Sequence, residues 1–254
     1  MNVKVARIKA QGGDILGAQP FSRKQAVFNE KASQYAGQGV ITTPGYLRLE
    51  QSLATGATSL SQINFNTLDT SGVKLSTERR LKLADTFTIT DISFYLGTGS
   101  ATSVGAPTAA EAAVMKLNTF PNSGVAAIAA TNAGILESIY NGYMSLRVDT
   151  TTFLDSIPMR QFYRVGDVQA GIITATGGVT TNQSSWPLSM FGRTELLPTI
   201  ELNGQSNIEF GITLPAPVSY TPVASTFVTA VIVLNGFLNQ GAATVQRRVQ
   251  QRLR

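Results

Sequence analysis

Leu81-Lys82-Leu83-Ala84-Asp85-Thr86-Phe87-Thr88-Ile89-Thr90-Asp91-Ile92-Ser93-Phe94-Tyr95-Leu96 alternates apolar and polar residues, the period-two pattern of a half-buried β-strand. The alternation changes phase partway along. Leu81, Leu83, Phe87 and Ile89 occupy odd positions, whereas Ile92, Phe94 and Leu96 occupy even ones. A strand that keeps one face inward through that change needs a bulge or tight bend, expected near Thr90 and Asp91.

Working outward, the same strand-and-turn character runs from about residue 57 to 240. Thr199 to Leu202 and Ile208 to Leu214 alternate around Asn203-Gly204 and read as a hairpin with one buried face. Ile135 to Asp149 carries Asn141-Gly142 between two strand-like halves, a hairpin or bulge signal. Phe153 to Val165 is a strand interrupted at Pro158, and Gly171 to Trp186 is a Thr- and Gly-rich surface excursion. Val231-Ile232-Val233-Leu234, inside Phe227 to Leu238, suits a central strand buried on both faces. Residues 97 to 124 form a long loop, with a helical turn or two at Ala109 to Leu117. Roughly nine to eleven strands with hardly any long helical periodicity predict an all-β, antiparallel two-sheet sandwich.

The flanks differ. Residues 1–56 read as an extended basic arm with a short helix from about Ser22 to Tyr35, where Phe21, Phe28, Ala32 and Tyr35 share a face. Residues 241–254 place Val245, Val249 and Leu253 four apart, which predicts a short basic amphipathic helix. Charge follows this division: residues 1–50 hold seven bases and three acids (+4), residues 51–243 nine bases and twelve acids (−3), and the last eleven residues four arginines (+4). The net charge of +5 therefore belongs to the ends. The residues expected to meet an anionic partner or a neighbouring subunit are Lys4, Arg7, Lys9, Arg23 and Lys24 at one end. Arg247, Arg248, Arg252 and Arg254 serve the other. Nucleic acid and an anionic membrane both fit, and the lack of aromatics beside the C-terminal arginines argues for contacts independent of base sequence.

The chain has no Cys and no His, which removes disulfides, thiolate nucleophiles, Ser-His-Asp triads and His- or Cys-ligated metals. Ser71-Gly72-Val73-Lys74 has the S-x-x-K spacing of a Ser-Lys nucleophile pair, but lies in a Gly-containing segment without the companion elements of that chemistry. Glycoside hydrolysis needs two convergent carboxylates; among Asp85, Asp91, Glu137, Asp149, Asp155, Glu201 and Glu209 no spacing singles out a pair. Gly37/Gly39 and Gly97/Gly99 do not extend to a dinucleotide fingerprint. Trp186, Tyr140, Tyr143 and Tyr163 offer either a stacking platform or core aromatics. No catalytic residue, cofactor or metal is expected. Charged residues make up 14% of the chain, well below the ~25% of an ordinary soluble domain, which points to an outer surface that is either uncharged or covered by other subunits. No secretory signal is visible, so the chain is expected in a cytoplasm or in something assembled there.

In its order of features the chain resembles jelly-roll viral coat proteins, those of bacteriophages in particular. The features are the basic arm, strands opening at Leu81 to Phe87, the segment Ile139-Tyr140-Asn141-Gly142-Tyr143, the turn at Leu202-Asn203-Gly204 and the closing strand Val231 to Phe237. The resemblance implies a non-enzymatic virion protein that assembles as a symmetric homo-oligomer with other virion proteins, its arms toward neighbours, genome or an internal membrane. The strand count slightly favours a single roll of eight main strands over a compact double roll of about sixteen. The alternative from another class is a carbohydrate-binding or carbohydrate-cleaving β-sandwich.

Overall fold

The computed structural model describes residues 23–53, 60–70, 74, 77–102, 107–121, 128, 130–164, 171–175, 178–182, 193–221 and 223–246. It is built mostly from antiparallel β-sheet arranged as two sheets. The first contains β1 (Ile41–Ser52), β11 (Thr226–Gln240) and β3 (Thr86–Ser100) in that order, with β4 (Lys116–Asn118) and β9 (Arg193–Asn203) sharing the far edge of β3 along different lengths. The second has the order β2 (Leu60–Phe65), β10 (Ile208–Val218), β5 (Tyr143–Val148) and β6 (Thr151–Pro158). A separate two-stranded ribbon joins β7 (Gly171–Ala175) to β8 (Gly178–Asn182).

The pairings are nested. β5 pairs with β6, β3 with β9, β2 with β10 and β1 with β11, each pair enclosing the previous one in the sequence. Two further ladders, β3 with β11 and β5 with β10, close the two sheets. Apolar faces meet between them: Leu49, Phe87, Ile92, Phe94, Ile232 and Leu234 from the first sheet, and Ile63, Met144, Leu146, Phe210 and Ile212 from the second, are all essentially buried. Closing one end, α3 (Ala130–Tyr140) packs on β10 and on a 3₁₀ turn at Met159–Phe162.

The phase change in β3 is realised as a bulge. Its ladder with β9 skips between Ile89 and Asp91, and its ladder with β11 shifts between Asn235 and Gly236, leaving Thr90 as the inserted residue. β11 lies between β1 and β3 and is buried along most of its length, as a continuous apolar centre requires.

Three expectations need correction. Asn203-Gly204 is not a hairpin turn, because β9 belongs to the first sheet and β10 to the second. An arch between sheets and a hairpin within one show the same alternation, and only tertiary pairing separates them. Ile135–Tyr140 is helix rather than strand: Leu136, Ile139 and Tyr140 form a buried helical stripe, and Asn141-Gly142 closes the helix through the Asn141 N–H to Ser138 O and Gly142 N–H to Ile139 O. Finally, the sheet begins before residue 57, since β1 pairs with β11 from Ile41 to Ser52. β1 was hard to see as a strand because Pro44 and Gly45 interrupt it; edge position tolerates both.

Candidate functional site

Helix α1 (Arg23–Gln34) lies against the outer face of the first sheet, with no residue of the helix fully buried. Lys24, Phe28, Lys31 and Tyr35 follow one another at helical spacing and share a stripe. The sheet answers each in kind. Lys24 Nζ sits 2.8 Å from Asp91 Oδ2, a carboxylate only 2% exposed. The Phe28 and Phe237 rings are 5.4 Å apart, and Lys31 pairs with Glu201. Arg23 donates to Leu196 O and approaches Glu195 at 3.9 Å. The bulge at Thr90 helps place Asp91: the Thr90 hydroxyl donates to Asp91 Oδ2 at 2.7 Å and also reaches Asn235 O at 3.2 Å. Bulges commonly re-aim a side chain in this way.

Glu201 is the centre of a hub that ties α1 and Tyr35 to Gln246. Its Oε1 accepts from Tyr35 Oη (3.1 Å) and from Gln246 Nε2 (2.9 Å), and Gln246 Nε2 also meets Tyr35 Oη at 2.8 Å. Asn203 Nδ2 donates to Gln246 Oε1 at 2.8 Å. Burial works to raise the Glu201 carboxyl, but the bonded Lys31 ammonium, with help from Gln246 and Tyr35, outweighs it and holds the group below the ordinary glutamate value. Burial, reinforced by the Glu201 charge, pushes the Tyr35 phenol up. Gln246 lies in a helical turn at 242–246 that inserts Ala242 and Ala243 and leaves Val245 half-buried.

Of the nine basic residues expected to meet a partner, Arg23 and Lys24 are turned inward onto the sheet's own acids. Lys4, Arg7, Lys9, Arg247, Arg248, Arg252 and Arg254 lie outside the described residues. Ser71 and Trp186 do too, while Lys74 pairs with Asp69 at 3.3 Å. Tyr140 is a core residue, edge-on to Phe94 at 5.4 Å and to Tyr163 at 5.1 Å. The remaining carboxylates act singly: Asp85 accepts from the Gly241 N–H, Asp149 from the Asn207 N–H, and Glu137 and Glu209 pair with Arg160 and Arg147.

A second charged cluster, invisible from spacing alone, lies at the β1 edge. Arg48 meets Glu50 at 2.6 Å and Arg80 meets Glu78 at 2.8 Å; Thr77 Oγ1 donates to Glu50 at 2.7 Å. The backbones of Arg48 and Arg79 exchange both hydrogen bonds, and the Arg79 guanidinium stacks over Tyr46. The segment thus covers part of an edge strand that would otherwise present free backbone groups. Among the described residues no three potential metal-ligating side chains converge, and no helix is long and apolar enough to cross a membrane. The crevice beneath α1, lined by Arg23, Lys24, Val27, Thr90, Glu195 and Thr199, has a volume of about 10 Å³, room for one water. No protein-family model, curated protein or solved structure matches this chain.

Proposed function

We propose that this chain is a jelly-roll structural protein of a viral particle, a subunit that assembles with copies of itself into or onto a shell. The observation that carries the reading is the nested pairing. Setting aside β4, β7 and β8, eight strands lie in the orders β1-β11-β3-β9 and β2-β10-β5-β6, the arrangement obtained when one long antiparallel hairpin is rolled into two four-stranded sheets. That order supports reading the sandwich as a single jelly roll, a fold used by viral capsids and also by lectins and cupins, so topology alone does not select the function. The sparse charge of the body and the basic ends favour the shell subunit.

The ends fit that role by position. The last described residue, Gln246, is hydrogen-bonded to Tyr35, and α1 begins at Arg23 on the same outer face. Arg23 and Gln246, the described residues that adjoin segments 1–22 and 247–254 with Lys4, Arg7, Lys9 and the four arginines, thus both lie on the outer face of the first sheet. That side of the subunit turns toward the anionic interior of the particle, either genome or lipid headgroups.

Light scattering and electron microscopy of the purified protein test the reading. Discrete multimers or closed particles are expected; a monomer across concentration, salt and pH overturns it. Replacing Arg247, Arg248, Arg252 and Arg254 with Gln should weaken salt-sensitive binding to RNA, DNA or anionic vesicles, and unchanged binding removes the role given to the tail.

A further inference from the structure

The geometry points to α1 as an exchangeable element: the groove formed by Asp91, Glu195 and Glu201 accepts the cationic stripe of α1 from a second copy of the chain as readily as its own. This rests on the assembly reading above. The groove is acidic at three points and the helix is basic at three, Lys24 on Asp91, Arg23 beside Glu195 and Lys31 on Glu201. A second copy brings the same helix, so charge complementarity is satisfied identically within or between subunits.

Two features make exchange accessible. The first is the character of the docking. No α1 residue is fully buried, and Lys24 and Arg23 retain 43% and 36% side-chain exposure; the tightest attachment is Tyr35, just beyond the helix, which is buried, bonded to Glu201 and Gln246, and has to leave with it. Leaving the groove returns Asp91, Glu201 and their cations to water, where each is hydrated, so the undocked state carries no stranded buried charge. Salt screens the exposed Arg23–Glu195 contact most and the pairs at Asp91 and Glu201 less. The second is the connection. Residues 36–39 are exposed, and Gly37 and Gly39 sit at φ +78° and +73° with nothing within 4 Å of an added Cβ. Straightening the six steps from Tyr35 to Ile41 carries the helix up to about 20 Å from the start of β1. Exchanging an identical element forms no new type of contact, and the balance is set by the effective concentration of neighbours.

The test uses the native chain. Ordinary and heavy-isotope proteins are mixed under assembly conditions, and a zero-length carbodiimide joins amines to the carboxylates they touch. Digestion and mass spectrometry then read the Lys24–Asp91 and Lys31–Glu201 linked peptides. Exchange predicts mixed-isotope peptides about as abundant as single-isotope ones in the assembled fraction, appearing faster when mixing is done at raised salt. Linked peptides of one isotope only overturn it, even where scattering shows particles and the assembly reading stands. Absence of both links shows that α1 is not seated on the groove and overturns it too. Mixed-isotope peptides in a small oligomer that never forms particles uphold exchange while the shell reading falls.

Discussion

Gly45 and Gly236 face each other in the ladder between β1 and β11, yet alanine should have opposite effects at the two positions. A Cβ on Gly236 would lie 1.8 Å from Thr88 O, 2.9 Å from Thr88 C and 3.2 Å from Ile89 Cα. All three atoms are backbone of β3, held by ladders on both edges at the bulge. Relief requires the strand to move by more than about 1 Å to restore ordinary contact. Overpacking usually costs about 1–3 kcal/mol, and a clash with fixed backbone belongs at or above the top of that range. A Cβ on Gly45 meets only Leu238 Cβ at 3.7 Å and a Phe87 ring carbon at 4.0 Å. Gly45→Ala is therefore expected to be neutral or to stabilise by up to ~1 kcal/mol through the unfolded chain. Urea unfolding followed by far-ultraviolet circular dichroism, at concentrations where scattering shows no assembly, reads the difference as a shift of midpoint at constant slope. A Gly236→Ala midpoint close to wild type, or equal losses at the two glycines, refutes the register assigned at the bulge and the strand nesting that depends on it.

Three further predictions bear on the core and the hub. Phe94→Ala, which removes a fully buried ring packed edge-on against Tyr140, should cost about 3–5 kcal/mol in the same unfolding assay. Tyr140→Phe should be neutral or slightly stabilising, because the Tyr140 hydroxyl is buried without a hydrogen-bond partner and its removal leaves nothing unpaired. Glu201 has a depressed folded pKa, so its stabilisation is complete above the unfolded value of about 4.3 and is lost as pH falls through the lower folded value; Glu201→Gln should flatten the acid limb of the stability profile, and an unchanged limb refutes the role of the Lys31 pair.

The alternation of β3, its bulge and the doubly buried β11 were legible in the sequence because each leaves a local, periodic trace. The helix at Ile135–Tyr140 was not. Ile135, Leu136, Ile139 and Tyr140 do fall at helical rather than alternating spacing, but that window is only six residues long, and the Asn141-Gly142 that follows it serves a helix end as readily as a hairpin. The candidate site was half legible. Phe28 and Tyr35 stand out in the sequence as one helical face, but that face was expected to run through Ala32, which is exposed, and not through Lys24 and Lys31. That Arg23 and Lys24 would be neutralised by the chain's own Asp91 and Glu195 depends on contacts between residues as far apart as 172 positions, and no spacing rule reaches across such a distance. Gln246 as the link between the ends gave no signal at all, being an uncharged residue in a basic tail.

The nesting also explains why α1 and the turn at 242–246 come together. When strands pair as successive enclosing hairpins, the innermost pair, β5 with β6, turns at Asp149 and Thr150, and the outermost, β1 with β11, necessarily holds the beginning and the end of the sheet. Ile41 is opposite Gln240, so the segments leading into β1 and out of β11 start as neighbours. Each then folds back over the outer face of the first sheet, where Phe28 and Ala242 find apolar contact and Glu201 holds Lys31 and Gln246. Arg23 and Gln246, the described residues that adjoin the two basic segments, thus come to lie on one face without any long-range sequence signal being required. A substitution that loosens the hub, such as Gln246→Ala, should separate the ends while leaving the two-sheet body intact: cross-linking between α1 and the C-terminal turn should fall, with little change in the circular dichroism of the sheets. If the sheets are lost together with the hub, the ends are part of the folding core rather than appendages anchored to it.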